Sequence, residues 1–217
     1  MAERGIFVSG IHVSEVVVRR LPLYYRQLET LERMGINRVS SKELGEQMGL
    51  TASQIRQDIN FFGAFGQQGY GYYVPLLKQH LAEILGLDKN YGMVVAGAGN
   101  IGHAIVNYQS FQVRGFNIIG LFDKSNDLVG TQVNGIDVQH IDTLEGFLKE
   151  NSADIGVVCT PRDSAQQIAD IMVASGIKAI WNFAPIALCV PPDVAINHVH
   201  LTDSLLVLSY KLKHSAE

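Results

Sequence analysis

The sequence predicts an α/β protein with an N-terminal winged helix, a Rossmann-like doubly wound parallel sheet and a C-terminal helix. Up to about residue 85, apolar residues recur at the spacing of helices. Beyond that point, short apolar runs alternate with helical segments, which is typical of a parallel sheet covered on both faces. A glycine-rich turn, Gly97 to Gly102, lies where the first of these runs meets a helix. We therefore expect three parts, residues 1–85, 86–200 and 201–217.

Composition excludes several classes of protein. The chain has 217 residues, of which 47% are apolar and 18% charged, so it is expected to fold rather than stay disordered. No apolar run approaches the roughly 18 residues of a membrane span, and the first residues do not resemble a secretion signal. Cys159 and Cys189 lack metal-ligand spacing. We expect a cytoplasmic protein with no membrane contact, no metal and two free, buried thiols.

Charge is spread unevenly along the chain. Residues 1–85 contain nine Lys and Arg against eight Asp and Glu, whereas residues 86–217 contain eight against thirteen. The first segment is therefore the better candidate for contact with a polyanion, although so small an excess does not by itself identify a nucleic-acid binder.

The N-terminal segment reads as a helix-turn-helix. A helix is predicted over residues 21–34 and is followed by two shorter helices. Each of these begins with a capping pattern, Ser40 with Glu43 and then Thr51 with Gln54. A short glycine turn between two such helices is typical of a DNA-binding helix-turn-helix.

The third helix presents a polar face opposite an apolar one. Ile55, Ile59 and Phe62 form its inner stripe. Side chains of this kind can contact base edges and phosphates in a major groove, although a merely solvated face is the alternative. The outward residues are Ser53, Gln54, Arg56, Gln57 and Asn60.

Glycines and aromatic residues between Gly63 and Tyr73 predict a β-hairpin, or wing, which a helix over residues 76–85 follows. One such motif makes few phosphate contacts, so we expect a homodimer on a pseudo-palindromic site in double-stranded DNA. The remaining predicted DNA contacts are Ser40 and Ser41 at the second helix and Gln67, Gln68 and Tyr70 in the wing.

The second part alternates strands with helices. An Asp142/Glu145 capping box is expected to open its second helix. The predicted strands are 93–96, 117–122, 155–159 and 179–182, and the predicted helices are 101–111, 142–149, 164–174 and 205–213.

The turn Gly97-Ala98-Gly99-Asn100-Ile101-Gly102 predicts a dinucleotide site. Its first glycine permits the tight turn, its second lets the backbone approach a pyrophosphate, and its third lets helix and strand pack closely. Asp123, twenty-one residues after Gly102, can accept hydrogen bonds from ribose hydroxyls, which favours NAD(H) and repels a 2′-phosphate. Its neighbour Lys124 could attract that phosphate instead. A glycine turn needed only for packing is the alternative.

No catalytic residues are assigned. The roughly 130 residues after Gly86 leave no room for a substrate domain, and His103 is expected to be a helix-surface or packing residue. The residues thus favour a protein that uses the dinucleotide as a signal. A small NAD-dependent oxidoreductase with a regulatory domain stays open as an alternative.

Over nearly its whole length the chain resembles the Rex family of redox-sensing transcriptional repressors. The order and spacing of several short stretches carry this resemblance. These stretches are Leu23-Tyr24-Tyr25-Arg26, Ser40-Ser41, Leu44-Gly45, Ile55-Arg56 with Asp58, Phe62-Gly63, Gly69-Tyr70-Gly71-Tyr72, Val74-Pro75, Ile84-Leu85-Gly86-Leu87, Gly97 to Gly102, Thr160-Pro161-Arg162, Asn182-Phe183-Ala184-Pro185 and Leu208-Ser209-Tyr210.

The resemblance implies a C-terminal helix exchanged between two subunits and repression of genes for NADH-reoxidising metabolism. It also implies that NADH releases the dimer from its operator, whereas NAD+ competes without forcing release. Such coupling requires NADH to bind the DNA-incompetent state better than the competent one. The matching stretches further imply that Thr160, Pro161, Asn182 and Phe183 contribute to the cofactor site.

The resemblance also implies a switch. Arg26 and Tyr108 occupy the places of the family's switch arginine and of its tyrosine near the nicotinamide. His200 stands where the family has an aspartate, and Asp203, one helical turn later, could partly substitute for that acid. Histidine cannot replace an acid in an ion-pair switch in the same way, so weaker redox coupling, or a different adenine ligand such as ADP-ribose or a CoA derivative, is a further alternative.

Two predicted DNA contacts depart from the family. Members usually carry a basic residue at the places of Gln57 and Gln68. Neutral residues there are expected to weaken DNA binding, to flatten its salt dependence or to alter the preferred sequence.

Overall fold

A computed structural model describes residues 5–8, 11–67 and 70–215. The chain divides into two compact units, Met1–Lys89 and Asn90–Glu217. Of the predicted wing contacts, Gln68 lies outside the described residues, and for Gln67 only the backbone is described.

The first unit contains a three-helix core region, a small wing sheet, a fourth helix and an N-terminal hairpin. The order of strands in the wing sheet is β3-β5-β4, and β1 pairs with β2. The elements are β1 (Gly5–Val8), β2 (Ile11–Ser14), α1 (Glu15–Arg33), β3 (Arg38–Val39), α2 (Ser41–Met48), α3 (Ala52–Asn60), β4 (Gly66–Gln67), β5 (Gly71–Tyr73) and α4 (Val74–Ile84).

The predicted helix-turn-helix is present and its first capping box is complete. The Ser40 hydroxyl accepts a hydrogen bond from the Glu43 amide at 3.1 Å, and the Glu43 carboxylate accepts one from the Ser40 amide at 2.7 Å. The Thr51 hydroxyl caps α3 by accepting from the Gln54 amide at 3.2 Å. Helix α3 ends at Asn60, two residues before Phe62, the last residue of its predicted inner stripe.

Replacement of Ser40 by alanine is expected to lower the free energy of unfolding by about 1 kcal/mol, because the Glu43 amide loses its acceptor at the helix start. Urea denaturation measures this loss. Ser53→Ala is the matched control, because Ser53 is exposed within α3 and is expected to change stability by less than about 0.5 kcal/mol. Equal effects of the two substitutions would contradict the capping role.

Two features of the first unit extend the predictions. Helix α1 begins at Glu15 rather than at Leu21, because Val17 continues the buried stripe by one more turn. The wing has three strands rather than two, because Val39 in β3 pairs with Tyr72 in β5. A two-residue strand such as β3 is too short to show an alternating pattern in the sequence.

The second unit is built on a seven-stranded sheet with the order β12-β11-β10-β6-β7-β9-β8. All of its strand pairs are parallel except β8 with β9. The elements are β6 (Tyr91–Ala96), α5 (Asn100–Val106), α6 (Ser110–Val113), β7 (Phe116–Asp123), β8 (Gln132–Val133), β9 (Ile136–His140), α7 (Leu144–Glu150), β10 (Ile155–Val158), α8 (Arg162–Ala174), β11 (Ala179–Asn182), β12 (Ala195–His198) and α9 (Leu201–His214).

Burial on both faces of the central strand confirms the predicted doubly wound sheet. Met93 and Val95 of β6 belong to one apolar core, and Val94 and Ala96 belong to another. Successive side chains of a strand point to opposite faces, so helices must cover both sides of the sheet. Among the described helices, none is long and apolar enough to cross a membrane.

The structure corrects two predicted helices of this unit. The helix predicted over residues 101–111 is broken, since α5 ends at Val106 and α6 begins only at Ser110. The predicted Asp142/Glu145 capping box does not form. A 3₁₀ turn occupies Ile141–Thr143, and the His140 ring caps it by accepting from the Asp142 amide at 3.3 Å.

Three strands of the second unit were not predicted. Strands β8 and β9 form a hairpin around Asn134 and Gly135, whose φ angles of 48° and 80° suit the left-handed turn that Asn-Gly favours. Strand β12 extends the other edge of the sheet beside β11. Each of the three is short, and their sequences are polar enough to resemble loops.

Candidate functional site

The second unit contains a cavity of about 830 Å³ at the carboxyl ends of its central strands. Ala96 of β6 lies in register with Phe122 of β7 and Val158 of β10, so the segments that follow these strands emerge side by side. Parallel sheets bind ligands at this edge. The cavity is lined by Gly97, Gly99, Ile101, Asp123, Lys124, His140, Ile141, Asp142, Glu145, Cys159, Thr160, Pro161, Ser164, Gln167, Ile168, Ile171, Phe183 and Pro185.

The three glycines of the loop differ in their surroundings. Gly97 has a φ of 101°, and a Cβ there would lie 2.6 Å from the Cys159 carbonyl oxygen. A Cβ on Gly102 would lie 1.9 Å from the Gly97 carbonyl oxygen. A Cβ on Gly99 would meet nothing within 4 Å. The outer two glycines are thus required by the turn and by packing, whereas the middle one leaves open space beside the backbone.

Asp123 fixes the glycine loop as well as lining the cavity. One carboxylate oxygen accepts from the Ala98 amide at 2.6 Å, and the other accepts from the Ser125 amide at 2.8 Å. A carboxylate oxygen has two lone pairs, so each keeps capacity for a further donor such as a ribose hydroxyl. Lys124 lines the same cavity.

The opposite wall follows β10 and β11. The Thr160 hydroxyl is buried there and has no hydrogen-bond partner among the described residues. Pro161 lies beside it, and the Phe183 ring packs against Trp181 with centroids 4.6 Å apart. Unpartnered buried polar groups are rare unless a ligand or water satisfies them. The free hydroxyl and the open space at Gly99 therefore fit a bound adenine dinucleotide.

Several predicted cofactor residues lie outside the cavity lining. Asn182 is buried within its own turn, where its side-chain amide donates to the Ile186 carbonyl at 2.7 Å and accepts from the Ala184 amide at 2.9 Å. Asn182 therefore supports the loop that carries Phe183. Ala98, Asn100 and Gly102 shape the glycine turn but do not line the cavity either.

Tyr108 also lies outside this cavity. Because α5 ends at Val106, Tyr108 sits in the break between two helices with 57% of its surface exposed. Its ring packs on Phe111 with centroids 4.7 Å apart, and it lines a separate cavity of about 220 Å³.

A further wall of the cavity was not predicted. This wall begins where β9 ends, and it was not predicted because β9 itself was not predicted. Asn134-Gly135, the turn before β9, was the signal that could have revealed this strand. The unpredicted lining residues from this region and from α8 include His140, Asp142, Glu145, Ser164 and Gln167.

The two cysteines lie in different environments. Cys159 lines the cavity, and burial raises its pKa to about 12, so its thiol stays protonated at neutral pH. Both cysteines are free, but Cys159 is only partly buried and Cys189 is exposed, which corrects the expectation that both thiols are buried. The residue before Cys189 in its loop, Leu188, is the one whose side chain enters the core.

Iodoacetamide at pH 8 is expected to label Cys189 and to leave Cys159 unmodified in the folded protein. The thiolate is the reactive form, and a pKa of about 12 leaves roughly one Cys159 in 10⁴ ionised at that pH. Mass spectrometry of the peptides measures the labelling, and urea-unfolded protein, in which both must react, is the control. Equal labelling in the folded state would contradict the raised pKa of the Cys159 thiol.

The first unit exposes most of the predicted DNA-contacting residues. Ser53, Arg56, Gln57 and Asn60 are exposed on α3, and Gln54 is half-buried. The Arg56 guanidinium donates to the Ser41 hydroxyl at 2.9 Å, which links α3 to the start of α2.

The predicted contacts outside α3 differ in how available they are. Tyr70 of the wing is 70% exposed. The Ser40 hydroxyl accepts from the Glu43 amide in the α2 cap, so that side chain is already engaged.

A buried ion pair that the sequence did not predict attaches α3 to α1. Asp58 is 2% exposed, and its two carboxylate oxygens accept from the Arg20 guanidinium at 2.6 and 2.8 Å. The Tyr24 hydroxyl donates to the same carboxylate at 2.6 Å. Burial, aided by that hydrogen bond, raises the pKa of Tyr24 above its ordinary value. The network fixes the exposed face of α3 relative to α1.

The residues assigned to the switch lie on both units. Arg26 is exposed on α1 in the first unit. His200 is the residue before α9, and its ring stacks on His198 with centroids 6.4 Å apart. Asp203 is exposed in the first turn of α9. The His, Cys, Asp and Glu side chains of the described ranges form no group that could hold a metal ion.

Two family descriptions match the chain. Residues 88–186 match the family described as a CoA binding domain. Residues 12–60 match the family described as a putative DNA-binding protein N-terminus.

Curated relatives match almost the whole chain. The redox-sensing transcriptional repressor Rex of Thermoanaerobacter sp. strain X514 is 54% identical over 200 residues, which cover 92% of this chain and 89% of that protein. The repressor of the same name from Caldicellulosiruptor saccharolyticus is 53% identical over 201 residues, covering 93% of this chain and 92% of the relative.

Solved structures of a Rex-family repressor are also similar to this chain. The crystal structure of RSP in complex with beta-NAD+ and operator DNA is 53% identical with a TM-score of 0.89, covering 94% of each chain. RSP in complex with beta-NADH is 50% identical with a TM-score of 0.88, covering 94% of this chain and 96% of that one. RSP is described as a Rex-family repressor. The chain therefore belongs to the Rex family of redox-sensing transcriptional repressors.

Proposed function

We propose that this chain is a transcriptional repressor that binds a pseudo-palindromic operator as a homodimer in the cytoplasm and that NADH releases it. NAD+ competes for the same site without forcing release. The observation that carries the proposal is the cavity lined by the glycine loop and Asp123. It occurs in a chain whose sequence is about half identical to those of proteins solved with NAD+ and operator DNA and with NADH.

Residues 1–85 are the DNA-binding part in this proposal. The exposed face of α3 enters the major groove, where Arg56, Gln57 and Asn60 reach base edges and phosphates. The wing contacts the DNA backbone next to that groove. The Asp58 network supports this role because it fixes α3 without using any of the outward residues.

Residues 86–200 bind the dinucleotide. The pyrophosphate would pass Gly99, where the backbone has open space, and Asp123 would accept from the adenosine ribose hydroxyls. The Thr160 hydroxyl and the Phe183 ring would contact the bound molecule from the opposite wall. Three carboxylates along the lining, those of Asp123, Asp142 and Glu145, favour NAD(H) over a ligand with a 2′-phosphate.

Residues 201–217 provide dimerisation by exchange between subunits. Helix α9 supports this role because its apolar side chains are exposed in the single chain, among them Leu205, Leu208 and Leu212 at 53–71%. A helix that is apolar and exposed needs a partner surface. Arg26, Tyr108, His200 and Asp203 are the proposed switch residues, and Asp203 would partly substitute for the acid that the family carries at the place of His200.

The proposed role needs no catalysis. The dinucleotide acts as an effector, and its reduced form shifts the protein between two states by binding one of them more tightly. The curated relatives are named as repressors, which supports a regulatory rather than a catalytic role.

Binding-site selection from random duplexes, performed with no cofactor, with NADH and with NAD+, tests the proposal. A palindromic sequence is expected to be enriched without cofactor and with NAD+, and its enrichment is expected to disappear with NADH. Failure to enrich any sequence, or enrichment that NADH does not reduce, would contradict the proposal.

A second ligand class is favoured by one specific observation, the match of residues 88–186 to a CoA binding domain. A thermal-shift series with NADH, NAD+, NADPH, ADP-ribose and coenzyme A separates the two classes, because the true ligand stabilises most at equal concentration. We expect the largest shift with NADH. The largest shift with coenzyme A or ADP-ribose would replace NADH in the proposal.

A further inference from the structure

The guanidinium of Arg38 lies beside the wing. Strand β3 places it there, because Arg38 pairs with Tyr73 of β5 in antiparallel register. Its Nη1 donates to the Tyr70 carbonyl oxygen at 3.4 Å, and its guanidinium carbon lies 5.8 Å from the centre of the Tyr70 ring. Both side chains are exposed. A backbone carbonyl and an aromatic ring therefore orient a cation at the edge of the wing.

The local backbone restrains the strand that carries this cation. Gly71 of β5 has a φ of 69°, and a Cβ there would lie 2.5 Å from the Val39 carbonyl oxygen. Only glycine lets β5 approach β3 this closely. The carbonyl of Tyr70, immediately before β5, is thereby positioned for the Arg38 guanidinium.

Arg38 differs from four other cations of this unit in the charge of its partner. Four of the others are paired with carboxylates, Arg19 with Glu15, Arg20 with Asp58, Lys42 with Glu46 and Lys78 with Glu32. Arg38 and Arg56 instead donate to neutral oxygens, those of the Tyr70 carbonyl and the Ser41 hydroxyl, and Arg33 likewise donates to the Glu29 carbonyl. The hydrogen bonds of Arg38 and Arg56 orient their guanidinium groups without neutralising their charge.

We propose that Arg38 is a phosphate-contacting residue of the DNA-binding surface, oriented by Tyr70. This inference rests on the proposed function. Guanidinium has five N–H donors, of which the Tyr70 carbonyl uses one, so a fork remains for the two oxygens of a phosphate. Arg38 supplies a cation at the wing of a chain whose Gln57 and Gln68 are neutral. A phosphate rather than a base is the expected partner, because phosphate contacts position a protein on DNA without depending on the base sequence.

The salt dependence of DNA affinity tests the inference. The proteins compared are the full-length chain and its Arg38→Gln, Arg38→Lys and Arg19→Gln variants, each titrated on the selected duplex from 50 to 300 mM KCl. A dimer contributes two Arg38 side chains, so Arg38→Gln is expected to lower the slope of log affinity against log salt by about 1.8. If the two proteins bind equally at about 1 M salt, this difference in slope makes the affinity of Arg38→Gln about 60-fold lower than that of the unsubstituted chain at about 0.1 M.

The two other variants separate charge from geometry and from general effects. Arg38→Lys is expected to keep the slope, because the charge remains, while binding several-fold more weakly without the planar fork. Arg19→Gln removes an exposed arginine whose carboxylate partner already screens it, and is expected to change neither slope nor affinity. Unchanged thermal unfolding of all three variants shows that the fold is intact.

Each outcome has one meaning. An Arg38→Gln slope equal to that of the unsubstituted chain overturns the inference and leaves the proposed function standing. A loss of affinity confined to duplexes with one particular base pair also overturns it, because the contact would then be to a base. Failure of the unsubstituted chain to bind any duplex removes the proposed function and this inference with it.

Discussion

Replacement of Asp58 by alanine is expected to lower the free energy of unfolding by about 3–5 kcal/mol, because it leaves a largely buried guanidinium without its partner. The Arg20 guanidinium loses two hydrogen bonds, and the Tyr24 hydroxyl loses its acceptor in the core. Urea denaturation of the full chain, followed through the transition of the first unit, measures the loss.

An exposed ion pair on α1, the helix that carries Arg20, provides the control for Asp58. Glu15→Ala removes the partner of Arg19, whose side chain is 70% exposed, so a change below about 1 kcal/mol is expected. The Asp58 variant is also expected to lose DNA affinity under conditions where it is still folded, since α3 is no longer attached to Arg20. Stability within 1 kcal/mol of the unsubstituted chain would show that this network does not hold α3 in place.

Replacement of Gly102 by alanine is expected to abolish NADH binding and to destabilise the second unit by about 3 kcal/mol. Its new Cβ would lie 1.9 Å from the Gly97 carbonyl oxygen, so the turn has to open, and overpacking of this kind is costly. Isothermal titration with NADH and urea denaturation measure the two effects.

Gly99→Ala is the matched control for the glycine loop. Its φ of −75° suits alanine, and the new Cβ meets no protein atom within 4 Å. Stability is therefore expected to stay within about 0.5 kcal/mol, whereas NADH affinity falls because the methyl group enters space that the pyrophosphate needs. Full NADH affinity in Gly99→Ala would exclude an approach of the ligand to this part of the backbone.

Local chemistry explains which parts of the fold the sequence could predict. The Ser40/Glu43 capping box and the glycine loop before Asp123 each depend on residues close together in the chain, and the structure contains both. The buried runs of β6 and β11 are recognisable because apolar residues fill both faces of the sheet. In contrast, Asp142 with Glu145 matches a capping pattern but forms none, because His140 caps a 3₁₀ turn there first.

The site residues were predictable only where they lie close together in one segment of the chain. The Asp58 network joins side chains 34 and 38 positions apart, and nothing in the spacing of Arg20 or Tyr24 reveals it. Arg38 next to Tyr70 depends on the pairing of a two-residue strand. Asn182 belongs to a matching stretch but turns inward, a direction that only the packed loop determines.

Fluorescence anisotropy of a labelled palindromic duplex, titrated with NADH and separately with NAD+ at fixed salt, tests whether NADH controls DNA binding. We expect tight binding by the unsubstituted dimer, release at rising NADH, and no release at equal NAD+. We also expect that Gly99→Ala binds the duplex but resists release by NADH. Binding that is indifferent to both cofactors would contradict a repressor controlled by NADH through this cavity.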